Sequence, residues 1–303
     1  MKNIPLKTVD QYDFLDHRKQ QELNHWQKKN SRAPLDSILT IEVNTTELCN
    51  RTCVFCPRHD PKVFPNRNLH MSPLGADQIS KNIIEEYSGK ISFSGFGENL
   101  LNPEFDQIVK AFRNNLPLAI IECNTNGDKL TSELAQKLFD NGLNLLYINL
   151  YDGIEQVDHF NNIMRDFDKS KFKFRMHWSQ ADHGLILNNR SGTIDWIGVD
   201  ESDVKSLQGK PCHYPFYKMF VDWNGDVLFC SNDWGREHVV GNLMQQSLHD
   251  VWFSKPMNHI RKKLIKGDRS MSPCDKCSVD GSLFGETSFN IIRDYYENRN
   301  YGN

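Results

Sequence analysis

Short apolar runs alternate with amphipathic runs along residues 37–178, and this alternation limits the fold more than any other feature. The apolar runs read SILTIEV, KISFSGFG, LAIIECNTNG, LLYINLYDG and FKFRMHW, and runs at helical spacing such as PEFDQIVKAFRNN and SELAQKLFDNG separate them. Apolar strands joined to helices by short turns predict parallel βα units. In such folds the ligand site lies at the carboxyl ends of the strands. We therefore expect the motifs that follow the strands to meet on one rim.

Strands of this kind favour an incomplete (β/α)6 barrel of the TIM type over an open Rossmann sheet, although the alternation alone does not separate the two. The alternation breaks beyond about residue 200. There PCHYPFYKMFVDWNGDVLFC predicts a β-hairpin turning at Asn224 and Gly225, and SLHDVWFSKPMNHIRKKLIKG predicts a helix. The expected segments are a helical extension at 1–37, the barrel at 38–200, a small cysteine-bearing domain at 201–285 and a tail at 286–303.

Charge and hydropathy argue against two classes of partner. The net charge of −3 and the pI of about 6.4 provide no attraction for a nucleic acid. The chain has no apolar run of about 18 residues and no hydrophobic signal segment after Met1. We therefore expect a cytoplasmic protein with neither a nucleic-acid nor a membrane partner. In that reducing compartment its eight cysteines indicate metal or redox chemistry rather than disulfide bonds.

The segment CNRTCVFC places Cys49, Cys53 and Cys56 in a CxxxCxxC pattern directly after the first strand. Thiolates are the preferred ligands of zinc and of iron–sulfur clusters. A structural zinc site takes four protein ligands, whereas only three cysteines are close together in this segment. Three thiolates on a four-iron cluster would leave one iron open to another ligand, as a catalytic centre requires.

With Phe55 before its last cysteine, the motif resembles the signature of the radical S-adenosylmethionine (SAM) superfamily. The resemblance implies that the open iron chelates the methionine part of SAM. It further implies reductive cleavage of the sulfonium, which yields a 5′-deoxyadenosyl radical that abstracts a hydrogen atom from the substrate. SGFGEN is similar to the GGEP segment of the family but departs from it at Phe96 and Asn99. TNG and NLYDG follow the third and fourth strands as in that family. The SAM contacts implied in this way are Phe55, Gly95, Gly97, Glu98, Asn126 and Asn149.

A second cysteine set comprises Cys212, Cys230, Cys274 and Cys277. Four thiolates suit a tetrahedral zinc ion or a four-iron cluster equally well, so the ligands alone leave both open. The pattern C-x12-G-x4-C followed by CxxC resembles the twitch domain, a shortened SPASM extension with one auxiliary cluster. That resemblance implies two [4Fe-4S] clusters in all. Cys123 lies in an apolar strand, where a cysteine usually acts as a small buried hydrophobe.

The layout also resembles twitch enzymes that oxidise a cyclitol alcohol to a ketone. That resemblance implies a radical SAM oxidoreductase acting on a small, polar, sugar- or cyclitol-like molecule, with the auxiliary cluster accepting an electron and a flavodoxin or ferredoxin as reductant. Candidate substrate residues are His177 and Trp178 at the end of the fifth strand and Arg190 in NNRSG. Asp233 is expected in a surface turn.

Two other functions stay open at this point. One is a peptide-modifying maturase with a SPASM extension. Such enzymes commonly have an N-terminal leader-binding domain, and the 38 residues at the start of this sequence are too few for one. The other is a zinc- or iron–sulfur-bearing binding protein without catalysis. Molybdenum-cofactor cyclisation is disfavoured, because the auxiliary cluster of that enzyme uses three cysteines.

Overall fold

The computed structural model describes residues 14–29, 33–177, 188–195 and 204–300. An eight-stranded sheet in the order β5-β4-β3-β2-β1-β6-β7-β8 forms its centre. The strands are β1 (Thr40–Val43), β2 (Lys90–Phe93), β3 (Ile120–Thr125), β4 (Leu145–Leu150), β5 (Phe172–Met176), β6 (Lys218–Val221), β7 (Asp226–Leu228) and β8 (Val239–Asn242).

Helices follow most strands, which confirms the predicted parallel βα units. The α-helices are α1 (Phe14–Lys28), α2 (Pro73–Lys81), α3 (Phe105–Asn115), α4 (Ser132–Asp140), α5 (Glu155–Ile163), α6 (Tyr214–Tyr217), α7 (Leu248–Trp252), α8 (Lys255–Ile265) and α9 (Glu286–Asn300). Hydroxyl side chains cap α2 and α4: Ser72 accepts from the Gly75 amide at 3.1 Å and Thr131 from the Leu134 amide at 3.2 Å.

Two elements differ from the sequence prediction. The segment SPLGADQISKNIIEEY, residues 72–87, has helical spacing throughout, yet helix α2 ends at Lys81. Asn82 bonds instead to the distant β8 region: its side-chain amide donates to the Leu243 carbonyl and its carbonyl accepts from the Leu248 amide, both at 2.8 Å. The single helix predicted after the hairpin is two helices, α7 and α8, with Ser254 capping the second one.

The predicted hairpin is present, but it extends the main sheet. Strand β6 pairs antiparallel with β7, and Gly225 turns the chain between them with φ +83°. The other edge of β6 pairs parallel with β1. Six parallel strands therefore run from β5 to β6, and the sixth comes from the segment predicted as part of the small domain.

The two faces of the central strands have opposite chemistry, because side chains alternate along a strand. Ile41, Ile91 and Ile121 are fully buried in the hydrophobic core that includes α2, α3 and α4. The next residues along the strands form a polar row, since Glu42 is in register with Ser92 and Ser92 with Glu122. This polar face lines a cavity. Among the described helices, none is long and apolar enough to cross a membrane.

Helix α1 lies at the amino-terminal end of the strands. The Gln21 side-chain oxygen accepts from the Lys90 ammonium at 2.6 Å, and Lys90 begins β2. Glu22 accepts from the Gly285 amide at 3.2 Å. Arg18 lies 5.7 Å from the centre of the Phe284 ring and reaches the same cavity. The helix therefore closes the end of the cavity opposite the cysteine loop.

Candidate functional site

The loop with Cys49, Cys53 and Cys56 leaves the carboxyl end of β1, as predicted. Asn66 fixes its start through two bonds to Cys49: its side-chain oxygen accepts from the Cys49 amide at 2.9 Å and its amide donates to the Cys49 carbonyl at 3.0 Å. A tight turn follows, in which the Cys56 amide donates to the Cys53 carbonyl at 2.9 Å. All three cysteines are partly buried and have free thiols.

Arg51, between the first two cysteines, clamps this loop onto two other loops. Its guanidinium donates to both carboxylate oxygens of Asp128 at 2.6 and 2.7 Å and to both of Asp152 at 2.7 and 2.8 Å. It also lies 5.0 Å from the centre of the Tyr151 ring. The two bidentate pairs join the ends of β1, β3 and β4. Sequence reasoning missed this clamp, because both partners are far from Arg51 along the chain.

The thiols are suited to a positively charged metal centre. Burial raises the pKa of Cys49 to about 11 and that of Cys53 to about 12, so thiolates here need a compensating cation. In the part of the chain that the structure describes, no three His, Cys, Asp or Glu side chains converge tightly enough to hold one metal ion. A cluster spreads its thiolate ligands over several irons, whereas zinc draws all of them to about 2.3 Å from one point. This donor set therefore fits a cluster better than a zinc ion.

The SGFGEN turn packs directly against the cysteine loop. A Cβ on Gly97 would lie 2.1 Å from the Thr46 carbonyl oxygen, so this close approach requires glycine. The Asn44 side-chain oxygen accepts from the amides of Phe96 and Gly97 at 3.0 and 3.1 Å. Gly95 has φ +147° and packs against Asn44. Phe96, where the segment departs from the family pattern, is buried, and its ring packs against other aromatic side chains.

Glu98 is buried at the rim, and its carboxylate already accepts three hydrogen bonds. Its carboxylate accepts from the Thr125 hydroxyl at 2.6 Å, the Asn126 amide at 2.7 Å and the Leu100 amide at 3.1 Å. Burial raises its pKa. A carboxylate offers about four acceptor positions, so one remains for a ligand.

Asn99, which replaces the family's proline, joins three strand ends. It accepts from the Thr45 hydroxyl at 2.8 Å and donates to the carbonyls of Phe93 at 3.0 Å and Asn124 at 3.2 Å. Its amide nitrogen also lies 3.8 Å from the Cys123 sulfur. Cys123 itself is fully buried in the core, as predicted.

Asn126, Asn149 and His177 lie on the same rim. The Asn126 amide donates to the Asn50 side chain at 2.9 Å, which connects the end of β3 to the cysteine loop. Asn149 donates to the Thr125 carbonyl at 3.0 Å, so its side-chain oxygen accepts from Nε2 of His177 at 3.0 Å. This contact fixes the neutral tautomer of His177 with an unprotonated Nδ1.

His177 is held in a stack of rings. Its ring centre lies 4.9 Å from that of Tyr151 and 5.5 Å from that of Phe55, with planes within 20° of parallel. Burial, followed by the charges of Arg175 and Arg190, lowers its pKa to about 3. Nδ1 is buried without a hydrogen-bond partner. His177 is therefore a neutral acceptor at neutral pH. Trp178, the next residue, lies outside the described residues.

Residues 188–192 connect the two cysteine loops. Asn189 donates to the Lys276 carbonyl at 2.7 Å and exchanges two bonds with Ser278, at 2.9 and 3.1 Å. The Arg190 guanidinium lies 3.5 Å from the Phe55 carbonyl in the first cysteine loop. Arg190 and Ser191 have φ values of 47° and 55°, a conformation that tertiary contacts must impose on residues other than glycine.

The second cysteine set lies beside the start of β6 and the end of β7. Burial raises the pKa of Cys212 to about 11, and the pKa values of Cys230 and Cys274 are raised by burial and by the neighbouring thiols. The Asn232 amide donates to the Cys230 sulfur at 3.4 Å, and the Val279 amide donates to the Cys277 sulfur at 3.4 Å. Backbone bonds to sulfur are a means by which proteins tune iron–sulfur clusters.

The prediction of a surface turn at Asp233 is wrong. Asp233 is fully buried rather than in a surface turn. Its carboxylate accepts from the amides of Glu237 and His238, both at 3.0 Å. Asp233 therefore shapes the loop after Cys230.

Both cysteine loops open onto one cavity of about 510 Å³. Cys49, Cys53 and Cys56 line one part of it, together with Glu98 and Asn149. Residues 231–232 and 278–281, which follow cysteines of the second set, line another part. The cavity continues to Arg18 and Lys90 at the opposite end of the strands.

Comparison with known proteins agrees with this geometry. The Radical SAM superfamily model matches residues 43–172, and the SPASM iron–sulfur cluster-binding domain model matches residues 212–278. A relative from Niallia circulans, the S-adenosyl-L-methionine-dependent 2-deoxy-scyllo-inosamine dehydrogenase, is 30% identical over 254 residues, which are 80% of this chain and 93% of the relative. The chain belongs to the radical SAM superfamily. Its cofactors are therefore SAM and a [4Fe-4S] cluster, with auxiliary iron–sulfur binding by the SPASM domain, and it is an oxidoreductase.

Other radical SAM proteins are similar over much of the chain. The crystal structure of BtrN in complex with AdoMet and 2-DOIA superposes with a TM-score of 0.69 and 26% identity, covering 82% of this chain and 96% of that one. The GTP 3′,8-cyclase of Pectobacterium atrosepticum is 23% identical over 222 residues, 69% of this chain and 61% of the cyclase. The similarity is thus more extensive with the dehydrogenase than with the cyclase.

Proposed function

We propose that this radical SAM enzyme oxidises an alcohol carbon of a small sugar- or cyclitol-like molecule to a ketone. The observation that carries the proposal is the cavity that both cysteine loops share. A substrate in it lies between a site for radical formation and a site that can accept an electron. The dehydrogenase of Niallia circulans, which aligns over nearly its whole length, acts on 2-deoxy-scyllo-inosamine according to its name.

The rim residues hold the cofactor in this proposal. Cys49, Cys53 and Cys56 bind the first cluster. Glu98 has one acceptor position left for the methionine amino group, and a positive charge there would offset the burial that raises the pKa of Glu98. The SAM contacts completing the site are Phe55, Gly95, Gly97, Asn126 and Asn149. When bound, SAM and the cluster supply a carbon radical that removes a hydrogen atom from the substrate.

The second cysteine set would hold the cluster that accepts the electron released by oxidation. Cys212, Cys230, Cys274 and Cys277 provide four thiolates, which saturate one four-iron cluster and leave no iron for the substrate. A secondary alcohol becomes a ketone when its carbinol hydrogen atom goes to the deoxyadenosyl radical, its electron to the auxiliary cluster and its hydroxyl proton to solvent water. The loop 278–281, which follows Cys277, borders the cavity, so a cluster on this set would lie beside the substrate. A flavodoxin or ferredoxin of the cytoplasm would reduce the first cluster.

His177 and Arg190 position the alcohol. Nδ1 of His177 is a buried acceptor without a partner, suited to a bond from the substrate hydroxyl. With a pKa of about 3 the ring orients the hydroxyl and does not hold its proton. Arg190, beside the first cysteine loop, provides a donor for the developing carbonyl oxygen.

Deuterium transfer tests the function. Anaerobically reconstituted protein is reduced with SAM and a cyclitol deuterated at one carbinol carbon, and 5′-deoxyadenosine is analysed by mass spectrometry. We expect deuterium in 5′-deoxyadenosine together with a ketone product. Cys56→Ala should abolish both, whereas Cys123→Ala, a buried cysteine outside the site, should retain both. Cleavage of SAM without deuterium transfer from any carbinol position of the cyclitols tested would refute the proposed reaction.

A further inference from the structure

The closed end of the cavity carries five charged side chains on five elements. Arg18 comes from α1, Glu42 from β1, Lys90 from β2, Glu122 from β3 and Lys218 from β6, and all five line the cavity. We call this group the charged floor. It lies below the rim, since Lys90 comes five residues before Gly95 and Glu122 four residues before Asn126 along the chain.

The ion pairs of the charged floor hold its carboxylates in place. Lys218 contacts Glu42, whose other oxygen accepts from the Ser94 hydroxyl at 2.6 Å. Lys90 lies 3.3 Å from Oε1 of Glu122, and the Ser92 hydroxyl donates to the same oxygen at 2.9 Å. Both contacts to Glu122 use one oxygen and leave the other free.

Oε2 of Glu122 lacks a hydrogen-bond partner, whereas Oε2 of Glu42, which also lacks one, is in contact with the Lys218 ammonium. Oε2 of Glu122 is fully buried, on a residue only 4% exposed. Leaving a charged acceptor unpaired inside a protein is strongly unfavourable, so this oxygen calls for a donor from a ligand. Hydroxyl and ammonium groups are the two donors that a sugar-like molecule offers.

Charge decides between the two donors. Arg18, Lys90 and Lys218 provide three positive charges against the two negative charges of Glu42 and Glu122. An ammonium would add a fourth positive charge beside Lys90 and be repelled by it. A phosphate or carboxylate would be repelled by the unpaired carboxylate oxygen of Glu122. A hydroxyl can donate to that oxygen without changing the net charge of the charged floor.

We propose that the charged floor is a substrate-recognition subsite that binds an uncharged hydroxyl of a polyol through Oε2 of Glu122. The inference rests on the proposed function, since it names the class of substrate for the same cavity. An amine or phosphate on the substrate would then lie away from this end.

Three matched probes test the subsite: scyllo-inositol, its monoamine scyllo-inosamine and scyllo-inositol monophosphate. Binding to the anaerobically reconstituted full chain with SAM and no reductant is measured by calorimetry. Because the amine or phosphate of a charged probe can point away from the charged floor, we expect each of the three probes to bind with a hydroxyl at Glu122. Glu122→Gln, which puts an amide donor where the free acceptor was, should weaken scyllo-inositol binding by about tenfold.

Two variants make the test specific. Glu122→Asp keeps the charge but withdraws the oxygen from the cavity, and it should also weaken scyllo-inositol binding. Glu133→Gln, the same change at an exposed carboxylate on α4, should bind like the wild type. Iron content and thermal unfolding confirm that each variant is folded.

Two results would overturn the subsite: wild-type affinity for scyllo-inositol in Glu122→Gln and Glu122→Asp, or binding of none of the probes. Reductive SAM cleavage by the wild type is measured separately. Its absence would refute the proposed function, whereas its presence together with either of these results would refute the charged floor alone.

Discussion

Replacing Arg51 by methionine should loosen the first cysteine loop and leave the rest of the fold intact. The side chains of Arg51, Asp128 and Asp152 are 18%, 27% and 59% exposed, so solvent screens both pairs. Screened ion pairs contribute about 0.2–1 kcal/mol each, and bidentate geometry places these two toward the upper end. Loss of both is therefore about 1–2 kcal/mol, or a roughly 5- to 30-fold larger population of the opened loop.

Iron loss to a chelator measures this opening. Reconstituted protein should lose iron in two phases, one for each cluster, and Arg51→Met should accelerate one phase by that factor. The thermal unfolding midpoint should change little, since the clamp joins rim loops and not the core. Arg165→Met is the matched control, because Arg165 pairs with Asp166 where both side chains are more than 70% exposed. Equal acceleration of both phases, or none, would show that the clamp does not hold the cluster loop.

Three further changes test the rim. Gly97→Ala puts a Cβ 2.1 Å from the Thr46 carbonyl oxygen, so SAM binding measured by equilibrium dialysis should be lost. Gly235→Ala is the control and should retain SAM binding, because its Cβ would contact only the flexible side chain of Glu237. Asn99→Pro restores the family's residue yet should lower the free energy of unfolding by about 2–4 kcal/mol in denaturant titrations, because three buried partners lose their bonds; an unchanged midpoint would contradict this. For His177 the folded pKa of about 3 lies below the unfolded value near 6.5, so the unfolded state binds more protons and stability falls as the pH drops below 6.5, by up to about 1.4 kcal/mol per unit. His177→Asn should flatten that part of the stability curve, and parallel curves would rule out the neutral, buried histidine.

The sequence predicted what short-range patterns encode. Strand and helix periods located the βα units, and the rule on carboxyl ends placed Cys49 and Asn149 on one rim. Contacts between distant segments were not predictable, because periodicity carries no information about which segments meet. The partners of Arg51, the pairing of β6 with β1 and the burial of Asp233 are of this kind. The charged floor could have been suspected from polar residues inside apolar strands, such as Glu122 in IIECNT.

A polar residue within an apolar strand, such as Glu122, has a physical reason that connects fold and function. A strand in this sheet packs one face on helices and presents the other to the cavity, so residues one position apart have separate tasks. Ile121 is fully buried on the core side, while Glu122 beside it is buried on the cavity side with an oxygen unpaired. A fully apolar cavity face would stabilise the chain more, since burying unpaired charge is unfavourable. The polar face is therefore best explained by a polar ligand that completes it, and the unmet hydrogen bond identifies where that ligand binds.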